Sequence, residues 1–263
     1  METYYIGLTG LVFSFLLLLI PLVISYYLKL KLISATVESV VRMVLQLAFV
    51  GIFLTFLFDL NNSILNILWV LVMVFVASHT VLKNAELKTR SILPMLIISM
   101  AIINYSMLLY VNRFIIDLDD LFDARYLVPI AGMVLGNSLR ANVVGMENFC
   151  TEIKRNENRY LFSLSMGAEK TEAVIPYLRK SMRVALKPTI ANMATIGIVF
   201  IPGMMTGQIL AGASPMVAIE YQIVIMIVIY VTTMVNLLFG ILVLIHKGFD
   251  DYGMFKKEIL RGS

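Results

Sequence analysis

Seven apolar stretches, separated by shorter polar connections, run along this chain at Tyr5–Leu28, Val37–Phe58, Ile64–Leu82, Ile92–Asn112, Tyr126–Phe149, Val184–Ala211 and Pro215–His246. About 20 residues of apolar helix cross a hydrocarbon core of about 30 Å, so each stretch predicts a transmembrane helix. The first, third and fourth are apolar throughout. The second carries Glu38, Arg42 and Gln46, and the fifth carries Asn137, Ser138, Arg140, Asn142 and Glu147. Ionisable groups facing lipid are expensive, so these two spans are expected to turn their polar faces inward. The pattern predicts an all-α fold, a polytopic membrane helical bundle of about seven transmembrane helices, with residues 1–263 forming a single transmembrane domain.

Composition narrows the class. Of 263 residues, 60% are hydrophobic and 14% charged, and the mean hydropathy is +0.89. A soluble domain carries about 25% charged residues and leaves much of its surface in water, so a soluble enzyme is excluded. The formal charge of +4 does not point to nucleic acid, because the basic residues are sorted by membrane side. Eighteen of the 21 Lys and Arg fall on one side, from Lys29, Lys31 and Arg42 through Lys83, Lys88 and Arg90, the cluster Lys154–Lys187, and Lys247, Lys256, Lys257 and Arg261. The opposite connection 113–125 carries Asp117, Asp119, Asp120 and Asp123. The basic side reads as cytoplasmic, which places the N-terminus outside and the C-terminus inside and requires an odd number of spans. The first span, preceded by Glu2 and followed by Lys29 and Lys31, reads as a retained helix rather than a cleaved signal. A single cysteine, Cys150, provides neither an intrachain disulfide nor a multi-cysteine metal site.

Catalytic equipment is not legible. The chain has no P-loop, zinc-protease motif or nucleophile elbow. His79 and His246 read as interfacial. The longest connection, 150–183, holds the run Leu164-Ser-Met-Gly-Ala-Glu-Lys-Thr171, with Leu161, Leu164, Ala168 and Ile175 at helical spacings around a glycine-marked turn. That pattern predicts a short amphipathic cytoplasmic helix, which could dock on a soluble partner or lie among headgroups.

The run from Leu164 to Pro188 resembles the coupling loop of ABC-transporter permeases. Together with Arg42-x3-Gln46-Leu47, Gly51, Pro129–Met133, Gly136-Asn137, Pro202-Gly-Met-Met-Thr-Gly207 and Tyr221–Ile223, it resembles the FetB/YbbM-type family of iron-export permeases, related to plant aluminium-tolerance half-transporters. The resemblance spans about residues 38–250. It implies a cell-membrane (inner or plasma membrane) permease that binds no cofactor itself and carries a metal ion, or another small solute, out of the cytoplasm. The ATP-Mg would be bound and hydrolysed by a separate ABC ATPase subunit, in an assembly of two permeases and two ATPases. Leu164, Ser165, Gly167, Ala168 and Thr171 would form the coupling contact. An importer of the same architecture and a membrane scaffold without transport are the competing readings. Solute, direction and stoichiometry are not encoded legibly.

Pro202 lacks an amide proton and clashes with the preceding turn, so span six is expected to break there. Pro202, Gly203, Met204, Met205 and Gly207, with Asn137, Gln46 and Arg42, are the expected hinge and pathway residues. A packed kink with Gly203 and Gly207 as a close helix contact is the structural alternative. Met204 and Met205 are the weak metal candidates among 17 methionines, because thioethers suit soft ions. On span five, Met133, Asn137, Arg140, Val144, Glu147 and Asn148 share one face, and Arg140 is expected to pair structurally either with Glu147 or with an acid of a neighbouring span. Gly132 and Gly136 read as packing residues, and the acidic outer loop as solvated or as a cation-gathering surface.

Overall fold

The structure, a computed structural model, describes residues 7–250, 252–256 and 259. Tyr5, Glu2, Lys257 and Arg261 lie outside the described residues. Helices account for nearly all of the rest: α1 (Leu8–Leu16), α2 (Leu19–Tyr27), α3 (Ile33–Leu60), α4 (Ser63–Asn84), α5 (Thr89–Tyr110), α6 (Ala124–Arg155), α7 (Glu157–Ser165), α8 (Lys170–Thr195), α9 (Gly203–Leu210) and α10 (Pro215–Gly248). Among the described residues there are isolated β-bridges but no named strands. Six segments are long and apolar enough to cross a membrane, making this a multi-pass membrane protein.

Three of the expected segments differ in detail. The first span is two helices rather than one. Pro21 cannot donate to the Leu17 carbonyl, and the chain turns at Leu17–Leu18 with Ile20 N–H bonding Leu17 O at 3.3 Å instead. The sixth expected span, Val184–Ala211, is not a continuous helix, because α8 ends at Thr195 and α9 begins only at Gly203. The connection 150–183 is not a free loop. Helix α6 runs on to Arg155, α7 follows almost at once, and the helix after the glycine turn is the 26-residue α8 rather than a short one.

Two long helices, α6 and α10, form the centre, with α4, α5 and α8 packed around them. Lipid offers helices no hydrophobic reason to associate, so close contact of small residues matters most. The seam depends on Gly145 and Gly240: a Cβ on Gly145 would collide with Leu237 and press on Ala185, and one on Gly240 would collide with Asn142. Nothing lies within 4 Å of a Cβ placed on Gly136, Gly203 or Gly207, while Gly132 makes only an ordinary contact with Met73. The expected glycine packing pairs are therefore not the ones used.

Along the seam runs a ladder of polar groups. Asn236 Nδ2 donates to Ser138 Oγ at 3.2 Å, Asn142 Nδ2 to the Ser138 carbonyl at 2.9 Å, and Thr232 Oγ1 to the Val228 carbonyl at 2.7 Å. All of these side chains are buried. At the end of the bundle opposite the α7–α8 turn three asparagines pin the loops: Asn66 Nδ2 donates to Phe122 O and Asn112 Nδ2 to Leu121 O, both at 2.7 Å, and Asn61 Oδ1 accepts from Ala124 N–H at 3.0 Å. The acidic loop is used locally. Asp123 caps α6 by accepting from Arg125 N–H at 2.8 Å, Asp120 accepts from Phe122 N–H at 2.9 Å, and Asp117 meets Arg113 at 3.5 Å.

Helix α3 is the exception. Only its last turns are packed, through Leu57 against Ala124 and Val128 and through Phe53 against Trp69 at 4.1 Å between ring centres.

Candidate functional site

The residues singled out from the sequence fall in four places. The first is the elbow between α7 and α8. Gly167 has φ +92°, a conformation that a side chain resists. Its N–H bonds Leu164 O at 3.0 Å, and Ala168 N–H bonds Ser163 O at 3.1 Å, which is the Schellman arrangement that closes a helix. Glu169 then opens α8 through a reciprocal capping box with Glu172. Ser165 Oγ donates to Phe162 O at 2.8 Å and Thr171 Oγ1 to Glu169 Oε2 at 3.4 Å. Leu164 packs inward on the main core, while Phe162 and Met166 are 65% and 73% exposed at the tip. The elbow is thus stiff in its backbone and apolar on its outer face.

Behind it, the elbow is tied to the body. Lys180 Nζ meets Glu152 Oε2 at 2.7 Å, and Ser181 Oγ bonds Asn148 Oδ1 at 3.2 Å, joining α8 to α6. The chain after α10 doubles back over α7. Tyr160 donates to the Gly253 carbonyl at 2.7 Å, Phe249 meets the Tyr160 ring at a tilt and the Phe255 ring edge-on, and Lys88 N–H bonds Ile259 O at 2.7 Å. Burial, with the Asp250 charge and Tyr177 beside it, pushes the Tyr160 phenol above its ordinary 10.0. Tyr160 therefore stays a donor throughout the neutral range.

The second place is the break between α8 and α9. Pro202 is not a kink inside a helix but the cap before α9. The chain leaves the helix six residues earlier, at Ile196, and Gly197 takes φ +84° so that its N–H bonds Phe200 O at 3.0 Å. A cavity of about 400 Å³ lies between this turn and α10, lined by Met193, Pro202, Met205, Gln222 and Met226 among others. Gln222 is 7% exposed, and its Oε1 has no hydrogen-bond partner. Met205 lines this cavity. Met204 does not, because it packs against the outer core with Ile225 and Val228. Among the described residues, no group of three or more His, Cys, Asp or Glu side chains could hold a metal ion.

The third place is a groove of about 380 Å³ between α6 and α8, with Asn84 closing the end of α4 onto it. Asn137, Arg140, Thr189 and Asn192 line it. Neither an Arg140–Glu147 pair nor a pair of Arg140 with an acid of a neighbouring span is among the ion pairs of the described residues. Arg140 is exposed to the groove, and its Nε bonds the Gly136 carbonyl at 3.3 Å. A lipid-facing arginine at mid-helix costs about 2.5–3.5 kcal/mol on insertion scales, so the charge needs water or a counter-ion. Thr189 and Asn192 escaped the sequence reading, although Ala185, Pro188, Thr189 and Asn192 form a helical i, i+3, i+4, i+7 stripe that could have exposed them.

The fourth place is α3, where Arg42 and Glu38 pair at 2.6 Å with side chains 58% and 68% exposed. Gln46 lies one turn further along the same exposed helix. These residues are not brought to either cavity.

Comparison with known proteins agrees with this architecture. The family described as "Uncharacterised protein family (UPF0014)" matches residues 8–249. "Protein ALUMINUM SENSITIVE 3" of Arabidopsis thaliana is 33% identical over 215 residues, covering 81% of this chain and 77% of that protein. "Probable iron export permease protein FetB" of Escherichia coli is 31% identical over 225 residues, covering 86% and 85%. "UPF0014 membrane protein STAR2" of Oryza sativa is 31% identical over 205 residues, covering 77% and 70%. No solved structure matches the chain. Matched from α1 to the end of α10, this multi-pass chain belongs to the UPF0014 family of membrane proteins.

Proposed function

We propose that this protein is the permease subunit of an ABC transporter that moves a small solute, such as a metal ion, out of the cytoplasm. ATP would be hydrolysed by a separate subunit docked on the α7–α8 elbow. The observation that carries this reading is the elbow itself: a rigid, glycine-closed turn with an apolar tip, at the head of the helix that leads directly to the α8–α9 break, which this reading puts at membrane depth. Irregular backbone within a bilayer is tolerated only against protein or water, and transporters place such interruptions along their substrate paths. With α8 and α9 as one interrupted crossing, the six continuous spans become seven, with the N-terminus outside and the elbow in the cytoplasm. The name of the Escherichia coli relative, an iron export permease, supports the choice of cargo and direction.

The exposed α3 supports a paired assembly. Its polar pair and Gln46 would face lipid in a single copy, which is costly, and a twofold-related copy could offer Arg42 to Glu38 reciprocally. Within such a pair, Gln46 and Arg42 would sit beside the transport path, and Met205 with Gln222 would line its gated end.

The test is Gly167→Pro. Proline fixes φ near −65°, which the elbow cannot accept. The variant should insert normally and lose all stimulation of the co-purified ATPase. Undiminished stimulation would remove the coupling role. Uptake of labelled metal into inside-out vesicles checks direction, and ATP-independent uptake would contradict the motor assignment.

A further inference from the structure

We propose that the α6–α8 groove is a binding site for a small oxyanion, a carboxylate- or phosphate-bearing solute held by Arg140, so that any metal passing this point travels as an anionic complex rather than a bare cation. The inference rests on the permease reading and specifies what its path accepts.

Charge makes the first argument. Among the described residues lining the groove, Arg140 carries the only formal charge, and no aspartate or glutamate joins it. A bare divalent cation approaching this wall meets a fixed positive charge with no carboxylate to offset it. Donor inventory makes the second. A guanidinium has five N–H donors in a planar fork suited to carboxylate and phosphate. Here only Nε is engaged, with the Gly136 carbonyl, which leaves four donors for a ligand. Asn84, Asn137, Asn192 and the Thr189 hydroxyl add neutral donors from three different helices.

Shape makes the third. The volume of about 380 Å³ falls within the range of small-molecule sites. The lining residues stand on rigid helices rather than on a loop, and Ser181–Asn148 and Lys180–Glu152 lock α6 against α8 just beyond the groove. Preorganised donors of this kind are what an anion site requires.

The experiment uses the full chain in nanodiscs, with citrate, inorganic phosphate and free Fe²⁺ as separate probes in calorimetric titrations. Wild-type protein should bind citrate or phosphate. Arg140→Gln should weaken that binding at least tenfold, and Arg140→Lys less, because charge survives and the fork does not. Asn192→Ala should weaken it a few-fold. The two anions separate a carboxylate site from a phosphate site. Citrate and phosphate binding that is unchanged in Arg140→Gln overturns the proposal. So does binding of free Fe²⁺ alone, or an Arg140→Gln variant whose only defect is loss of the paired assembly on size exclusion. Stimulation of the partner ATPase, measured on the same preparations, keeps the two readings apart. Stimulation without Arg140-dependent anion binding sinks the groove and spares the permease, and the reverse result sinks the permease and spares the groove.

Discussion

In the α6–α10 seam, Asn236 is buried and donates across the helix pair to Ser138, and the buried Asn142 donates to the Ser138 carbonyl of its own helix, whereas on α3 Glu38 and Arg42 pair with each other in the open. Both regions carry polar residues on transmembrane helices, and both are legible as such in the sequence. In the seam, glycine lets the backbones approach until the side-chain amides of Asn142 and Asn236 find acceptors for their N–H groups, although their carbonyl oxygens stay unpartnered. On α3, among the described residues, Glu38 and Arg42 lie on the exposed part of the helix, away from its packed last turns. The seam's donors are served inside the chain, and the polar residues of α3 are served only by each other.

That contrast can be broken most sharply with glycine. Gly240→Leu should cost about 3 kcal/mol through overpacking against Asn142 and abolish recovery of monodisperse protein. Gly51→Leu on α3, where nothing lies within 4 Å, should leave thermal stability within about 0.5 kcal/mol. If Gly51→Leu proves equally damaging, α3 is packed in a way the single chain does not contain. Lys180→Met should come next, at about 1–2 kcal/mol, because the Glu152 side chain, only 10% exposed, loses its cationic partner and keeps only the Asn156 amide at 3.3 Å. Differential hydrogen exchange should show α8 loosening from α6 while α3 is unaffected.

Arg42→Ala tests the other half. It should weaken self-association about tenfold, equivalent to about 1.4 kcal/mol, and leave the unfolding temperature of the dissociated chain unchanged. Tyr160→Phe should be the mildest, at about 1 kcal/mol for one hydrogen bond, read as faster proteolysis after residue 248. Its pH dependence has a definite sign. A phenol whose folded value is raised above 10.0 contributes stability fully below about pH 10, and that contribution is lost as pH rises through the folded value. The wild-type strap should therefore loosen only in strong alkali, and the phenylalanine variant should show no such step.

The helical class, most span edges and the glycine elbow were readable because each rests on local chemistry: long apolar runs, basic flanks, and a Gly-Ala pair before Glu169 and Glu172. The break in span six was readable as an event but misplaced. Proline marks where a helix cannot continue backwards, and the chain had already turned at Gly197 to satisfy its own backbone. Gly145 and Gly240 could not be singled out, because a glycine's value as a contact depends on a neighbour almost a hundred positions away. Arg140 was visible, yet an acidic partner, Glu147 or one on a neighbouring span, is the natural expectation for a buried charge, whereas its actual surroundings, Asn84, Thr189 and Asn192, are neutral and come from two other helices. Met204 and Met205 are adjacent in sequence, and the helix sends one to the core and the other to the cavity.

Helix α8 runs 26 residues, about 39 Å at 1.5 Å per residue, from the elbow to the break. A tilt of about 5° at one end therefore displaces the other by about 3.4 Å, comparable with the diameter of a water molecule. Pro188 interrupts the hydrogen-bond ladder of this beam and lines the Arg140 groove. Pro176 interrupts the same ladder nearer the elbow, so bending absorbed at Pro188 is delivered to the groove wall, what passes both prolines arrives at Gly197, and one lever has two outputs set by the stiffness of two residues.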